Sequence, residues 1–164
     1  MDKSPDTAGL PRRACSILKQ HGFRKSALTW HKRGAEVISV FHIEKNRWGA
    51  DCYSFHLGAY LRALGSEESP PHYRCPVQLT LDRLVPDPDM FERASDFEDT
   101  SLGVSDRLSQ IVALVSDYAL PWLERYLSVR ELKLLMRTDY ASLLPRVQVF
   151  REAYDYLRRV DQSV

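Results

Sequence analysis

Two stretches of the chain carry polar side chains of the kinds that bind ligands or catalyse reactions. His42 and Glu44 lie in the first stretch, and Cys52, Ser54 and His56 lie in the second, at alternate positions in each. Alternate side chains of a β-strand point to the same face, so each set would share one face of its strand. Imidazole, thiol, hydroxyl and carboxylate groups on one surface could activate a nucleophile or hold a metal ion.

Spacing argues against a catalytic pair formed by Cys52 and His56. At about 3.3 Å per strand residue, their positions are about 13 Å apart, which is far beyond a hydrogen bond. Ser54 can lie beside His42 on the neighbouring strand, but no Gly-x-Ser-x-Gly turn accompanies it. A cross-strand hydrogen bond explains this pair better than a nucleophile and its base. We therefore assign no catalytic residue, and we favour a protein that is not an enzyme.

A metal site on the same face is an open alternative. His42 and His56 would be diagonal neighbours, about 7–8 Å apart at the backbone, which two imidazoles around one ion can span. The tight ligand spacing of many metal sites, such as His-x-x-x-His, is missing from the sequence. We therefore favour surface histidines, and we predict no metal and no other cofactor.

The opposite faces of these strands are apolar, and they indicate how the strands pair. A two-residue turn at 33–34 sets Trp30 opposite Val37, and a short loop before the next strand sets Phe41 opposite Phe55. A one-residue slip would destroy the agreement between the strands. The shared apolar face then consists of Leu28, Trp30, Val37, Phe41, Ile43, Tyr53, Phe55 and Leu57.

Helical and irregular segments surround the strands. A helix is predicted over about 10–20, a strand with Tyr73, Cys75 and Val77 in one phase follows, and the acidic stretch 86–100 is predicted as a loop. Further helices are predicted from about 105, over about 128–137 and from Pro145. This order predicts an α+β fold with an N-terminal helix, an antiparallel sheet of about four strands and C-terminal helices packed on one face. We expect a single domain over 9–162 after a disordered tail at 1–8.

Composition places the chain among ordinary globular proteins. It has 164 residues, of which 44% are hydrophobic and 27% are charged. No stretch approaches the length of a membrane span, and the first residues lack the apolar core of a secretion signal. Three widely spaced cysteines (Cys15, Cys52 and Cys75) fit reduced thiols. We therefore expect a cytoplasmic protein, not bound to a membrane, that is a monomer or a weak dimer.

Charge is distributed unevenly along the chain. Residues 11–47 hold nine Lys and Arg against two Glu, whereas residues 66–100 hold nine Asp and Glu against three Arg. The basic segment could bind nucleic acid with Trp48 as a stacking residue, but a net charge of only +1 argues against this function. Its basic residues of interest are Arg12, Arg13, Arg24, Lys25, Lys32, Arg33 and Arg47. The acidic stretch could contact a protein partner through Asp96, Glu98 and Asp99.

Four stretches of the chain carry a resemblance to a known family. They are 18–25 (LKQHGFRK), 40–45 (VFHIEK), 53–58 (YSFHLG) and 119–123 (ALPWL). Over roughly 10–136 the chain resembles an uncharacterised bacterial family, the domain of unknown function numbered four thousand three hundred and four. In that family we expect Gln at the position of Glu44 and often Asn at the position of His56. The resemblance implies a bacterial protein of the same fold and carries no established activity.

The sequence thus predicts a non-enzymatic binding or protein-interaction domain. Its predicted binding surface is formed by His42, Glu44, Ser54 and His56, and its predicted partner contact by Asp96, Glu98 and Asp99. By analogy, an acidic surface of this kind suits an immunity-type protein that neutralises a basic toxin. Two alternatives stay open: an enzyme or metal site around His42 and His56, and nucleic-acid binding through the basic N-terminal segment.

Overall fold

A six-stranded antiparallel sheet lies at the centre of the fold in the computed structural model, which describes residues 9–47, 52–138 and 148–160. Its strands follow chain order: β1 (Arg24–Ser26), β2 (Thr29–Arg33), β3 (Val37–Lys45), β4 (Tyr53–Leu61), β5 (Val77–Thr80) and β6 (Gln148–Val149). The α+β prediction is confirmed. The sheet has six strands instead of about four because the short strands β1 and β6 extend its two edges.

Helices precede, interrupt and follow the sheet. They are α1 (Gly9–Gln20), α2 (Pro88–Ser95), α3 (Val104–Leu114), α4 (Leu120–Arg125), α5 (Val129–Thr138) and α6 (Arg151–Arg159), with a π-helical turn at Val115–Ala119 between α3 and α4. Single 3-10 turns lie at Arg62–Leu64, His72–Arg74 and Leu81–Arg83. None of the described helices is long and apolar enough to cross a bilayer.

Two of the predicted segments differ from the structure. The stretch 86–100 was wrongly predicted as a loop, since it contains α2. The Asp87 side chain accepts a hydrogen bond from the Asp89 backbone N–H at 3.1 Å, and Pro88 follows at the first helical position, which together start a helix. The last helix begins at Arg151, and residues 148–149, which were wrongly predicted to belong to it, instead pair with β5 as strand β6. Its predicted start at Pro145 lies outside the described residues, as do the predicted tail at 1–8 and Trp48.

The pairing of the strands keeps the predicted faces but not the predicted partners. Trp30 lies opposite Phe41, Phe41 lies opposite Leu57, and His42 lies opposite His56. The predicted register was therefore wrong by four residues between β2 and β3 and by two between β3 and β4. Both displacements are even, so the side chains within the strands stay on their predicted faces. The prediction was wrong for Leu28, which lies in the turn between β1 and β2 and is 36% exposed. The loop at 34–36 takes the place of the predicted two-residue turn.

One face of the sheet, called the front face, is covered by helices. Trp30, Phe41 and Phe55 lie side by side on it, with ring centroids 5.7 and 6.1 Å apart, and Phe91 of α2 contacts Phe55 edge-on at 5.7 Å. The buried Ser39 hydroxyl donates a hydrogen bond to a carbonyl of α4 at 2.6 Å. This face holds the main core, where burial supplies most of the folding free energy.

The opposite face, called the back face, is crossed by residues 66–76, which we call the strap. Beneath it, Ile38, Val40 and Tyr60 of the sheet form a small second core with Cys75 of the strap. Cys75 does not share the phase of Val77, contrary to the prediction, because β5 begins only after Pro76. The strap is held near its middle by His31, whose Nε2 lies 2.8 Å from the Pro70 carbonyl oxygen.

Candidate functional site

Three histidines meet on the back face. His42 and His56 are paired across β3 and β4, and the 3-10 turn of the strap brings His72 against both. The ring centroid of His72 lies 4.3 Å from that of His42 and 4.4 Å from that of His56, and the latter two are 6.1 Å apart. We call His42, Glu44, His56 and His72 the histidine cluster. It joins groups from two strands and one loop.

Polar groups of the strands complete the surroundings of the cluster. Glu44 Oε2 lies 3.0 Å from His56 Nε2, and Ser54 Oγ lies 3.1 Å from the same nitrogen. On the other side, Thr29 Oγ1 lies 2.8 Å from His42 Nδ1. The structure therefore brings together all four residues of the predicted binding surface. Ser54, which was predicted to face His42, instead lies opposite Glu44 and beside His56.

Burial keeps the three imidazoles neutral. It is the main cause that lowers the pKa of His42 and of His56, against the opposing effect of the Glu44 carboxylate. For His72, burial and then the charges of His56 and His42 lower the pKa to about 4. A neutral imidazole has one nitrogen with a free lone pair, so at neutral pH these rings are able to accept a hydrogen bond or a metal ion.

Three members of the cluster have the arrangement of a metal site. Glu44, His56 and His72 each offer a ligand atom, and these atoms lie within 4.8 Å of one another. All three residues are only partly buried, so an ion can reach them from solvent. His42 contacts both rings but is held through its Nδ1 by Thr29. It lies beside the three ligand atoms and supports the ring of His72.

His72 was missed by the sequence analysis. The predicted strand pattern explained its neighbours Tyr73 and Cys75, yet Tyr73 is 65% exposed and the segment is a 3-10 turn. The one local signal is the pair Pro70-Pro71, whose fixed φ angles favour an extended segment before a turn. That signal locates a turn. It does not show which surface the turn packs against.

Cys52 and the acidic residues of the predicted partner contact, Asp96, Glu98 and Asp99, lie outside the histidine cluster. They contact each other or nearby backbone groups. Cys52 Sγ lies 3.4 Å from Asp96 Oδ1, and the same carboxylate accepts a hydrogen bond from the Glu98 N–H at 2.9 Å. The Asp99 carboxylate accepts one from the Ser101 N–H at 2.8 Å, which with the Ser101 side chain lowers the pKa of Asp99. Contact of this acidic surface with a partner stays a prediction.

The basic residues predicted for nucleic-acid binding are spread over several elements. Lys32 forms an ion pair with Glu124 at 3.2 Å, and Arg33 forms one with Glu68 at 3.1 Å. Arg13 donates a hydrogen bond to the Ser109 hydroxyl at 3.3 Å. Part of the predicted basic surface is therefore neutralised or engaged within the chain. This weakens the case for nucleic acid.

Comparison with known proteins identifies a family for most of the chain but no activity. The family model described as domain of unknown function (DUF4304) matches residues 15–125. No curated protein and no solved structure matches the chain. The matched region contains the whole histidine cluster, together with β1 to β5. Because the function of this family is unknown, the chemistry of the cluster is inferred from its geometry.

Proposed function

The chain belongs to the DUF4304 family of domains of unknown function, and we propose that it is a non-enzymatic domain that binds a divalent transition-metal ion. Zn²⁺ is the ion that we propose. Glu44, His56 and His72 are the proposed ligands. The observation that supports this proposal is the convergence of one carboxylate and two neutral imidazoles from β3, β4 and the strap.

The kind of ligand favours zinc over the hard cations. Imidazole nitrogen suits Zn²⁺ and other late first-row ions, whereas Mg²⁺ and Ca²⁺ prefer sites made of oxygen. Two histidines and one glutamate leave a fourth position of a tetrahedron for water or for the Ser54 hydroxyl. Because the pKa values of His56 and His72 are lowered, the ion does not compete with protons for these rings at neutral pH.

Little rearrangement is needed for an ion to bind. A tetrahedral Zn²⁺ with bonds of about 2.0–2.1 Å places its ligand atoms about 3.3 Å apart. Glu44 Oε2 and His56 Nε2 are already 3.0 Å apart, and the widest separation among the three ligand atoms is within 4.8 Å. Rotation of the His72 and Glu44 side chains can close this gap while the sheet keeps its register.

The same geometry argues against a serine nucleophile. In a Ser-His-Asp triad the hydroxyl and the carboxylate contact opposite nitrogens of the imidazole. Here the Ser54 hydroxyl and the Glu44 carboxylate both contact Nε2 of His56, so the carboxylate cannot hold the ring as a base for Ser54. The Cys52 thiol contacts the Asp96 carboxylate. We therefore propose binding and not catalysis.

A zinc titration of the chelator-treated protein tests the proposal. We expect Zn²⁺ to raise the unfolding temperature, and we expect Glu44→Gln, His56→Asn and His72→Asn each to weaken binding. Loss of an outer partner of a metal ligand typically weakens binding about 10–100-fold, so loss of a direct ligand should have at least that effect. Isothermal titration calorimetry gives the affinity, and the Co²⁺ spectrum reports whether the ligands are nitrogen and oxygen or a thiolate.

The exposed pair of His21 and Glu124 provides a matched control. Its Nδ1 and Oε1 atoms are also 3.0 Å apart, but it has no second histidine. His21→Asn and Glu124→Gln should leave zinc affinity unchanged. If the cluster variants bind Zn²⁺ as tightly as the wild type does, or if the Co²⁺ spectrum shows a thiolate ligand, the proposed site is wrong.

A further inference from the structure

A second surface, which shares no residue with the histidine cluster, has the features of an anion site. It is a concavity of about 480 Å³ beside the edge strand β1 and the neighbouring strand β2. Four cations line it, Arg24, Lys25, Lys32 and Arg33, and its lining contains no Asp or Glu among the residues that the structure describes. We call it the basic concavity. The hydroxyls of Ser26 and Ser69 also lie in its wall.

Two of the four cations are neutralised within the chain and two are not. Lys32 and Arg33 form the ion pairs with Glu124 and Glu68 described above. Arg24 and Lys25 form no ion pair with any residue that the structure describes; Lys25 lies over the Trp30 ring, with Nζ 5.4 Å from the centroid. The concavity therefore has two uncompensated cations in its lining, with Arg24 on the back face and Lys25 on the front face of the edge strand β1.

The local backbone does not supply a negative counterpart. Helix α1 ends at Gln20, and Gly22 just after it, which has a φ of +84°, belongs to the lining of the concavity. The N–H groups of Gly22 and Phe23 donate hydrogen bonds to the carbonyls of Lys19 and Leu18, at 3.1 and 3.0 Å. This cap occupies carbonyls that would otherwise repel an anion at a helix C-terminus. The cations on β1 thus keep their charge available to a ligand.

We propose that the basic concavity binds a small, polar phosphate compound that carries two or more negative charges, in the class of pyrophosphate and sugar phosphates. Its volume falls within the range of about 300–1,000 Å³ that is usual for small-molecule sites. A guanidinium binds phosphate through two parallel hydrogen bonds, an ammonium adds a point charge, and hydroxyls supply neutral donors. The ligand is compact because the concavity holds only about 480 Å³.

Calorimetric titration with pyrophosphate at low salt, on metal-free protein, tests this proposal. The Arg24→Ala/Lys25→Ala variant should bind pyrophosphate about tenfold or more weakly, since it loses both uncompensated charges. The matched control is Arg12→Ala/Arg13→Ala, which removes two exposed charges of α1 outside the concavity and should bind as the wild type does. Arg24→Ala alone tests the site without removing the Lys25–Trp30 contact and should also weaken binding.

Two further arms distinguish this site from the zinc site and from a nucleic-acid surface. Glu44→Gln should leave pyrophosphate binding unchanged, so failure of the zinc site and failure of this site are distinguishable. A single-stranded oligonucleotide serves as the polymeric phosphate. Equal weakening by both double variants, or retention of the oligonucleotide without binding of pyrophosphate, would overturn the proposal.

Discussion

Replacing Gly58 with alanine should destabilise the protein and weaken zinc binding together. Gly58 lies on β4 directly beneath the strap, where a Cβ atom would be 2.6 Å from Cys75 Sγ and 2.7 Å from Cys75 Cβ. The Cys75 backbone N–H in turn donates a hydrogen bond to the His72 carbonyl at 3.0 Å. An added methyl group must therefore push away the segment that carries His72.

The size of the effect follows from these distances. Ordinary contacts of a Cβ atom begin at 3.4 Å, so the strap must move by roughly 1 Å to admit the methyl group. Overpacking of this kind typically costs about 1–3 kcal/mol in the free energy of unfolding. We expect about 2–3 kcal/mol here, because the atoms that clash are a backbone-proximal Cβ and a buried sulfur with little room to turn.

Urea unfolding at neutral pH, with and without zinc, measures both consequences. Cys75→Gly removes both clashing atoms, and the nearest remaining neighbour of the new methyl group at position 58 would be the Val77 carbonyl oxygen, at an ordinary 3.7 Å. In that background Gly58→Ala should be neutral or stabilising by about 0.5–1 kcal/mol, since alanine loses less backbone entropy than glycine on folding. Gly103→Ala is the control for the added methyl group, because its Cβ would come no closer than 3.6 Å to another residue; since Gly103 is the N-cap of α3, this variant should cost only about 0.5–1 kcal/mol.

The double-mutant cycle gives the decisive comparison. A coupling free energy near zero between positions 58 and 75 would refute the close approach of strap and sheet. So would a Gly58→Ala protein that is as stable as Gly103→Ala. A Gly58→Ala protein that is destabilised but binds Zn²⁺ with unchanged affinity would show that Cys75 does not position His72.

Three further predictions concern the core and its dependence on pH. In chelator-treated protein, the free energy of unfolding should be full at neutral pH and fall below about pH 6.5, because the unfolded chain gains protons that the folded histidines resist. The lowered pKa of the half-exposed His72 should account for about 1–2 kcal/mol of this loss after screening by solvent. Urea titrations at about pH 7.5 and 5.0 should therefore show a smaller loss of stability in His72→Asn than in the wild type. Arg107→Met should lower the free energy of unfolding by about 2–3 kcal/mol, because the buried guanidinium donates hydrogen bonds to the carbonyls of Arg93 and Asp99. Thermal unfolding measures this loss, and a change under about 0.5 kcal/mol would contradict the prediction. Ser39→Ala should lower the free energy of unfolding by about 1–2 kcal/mol, because it leaves a carbonyl of α4 without the Ser39 hydroxyl as its donor. A chemical unfolding curve that matches that of the wild type would contradict this prediction.

The sequence alone determined the two faces of the sheet and several of the helix ends. Alternation has a period of two, so the assignment of Trp30, Phe41 and Phe55 to the core face survived errors of two and four residues in the pairing. The end of α1 was equally local, since Gly22 at positive φ stops a helix wherever the rest of the chain lies. These features depend on neighbours in sequence, which is why they were predictable.

The tertiary structure decided which polar groups meet. The exact register placed His42 opposite His56, and the aperiodic strap brought in His72 from a segment without helical or strand pattern. The strap lies where it does because Gly58 admits Cys75 and because the Pro70 carbonyl contacts His31. Such contacts join residues far apart in sequence, and their energies depend on packing across the sheet. Two histidines on a strand face were visible in the sequence, but the third came only with the fold.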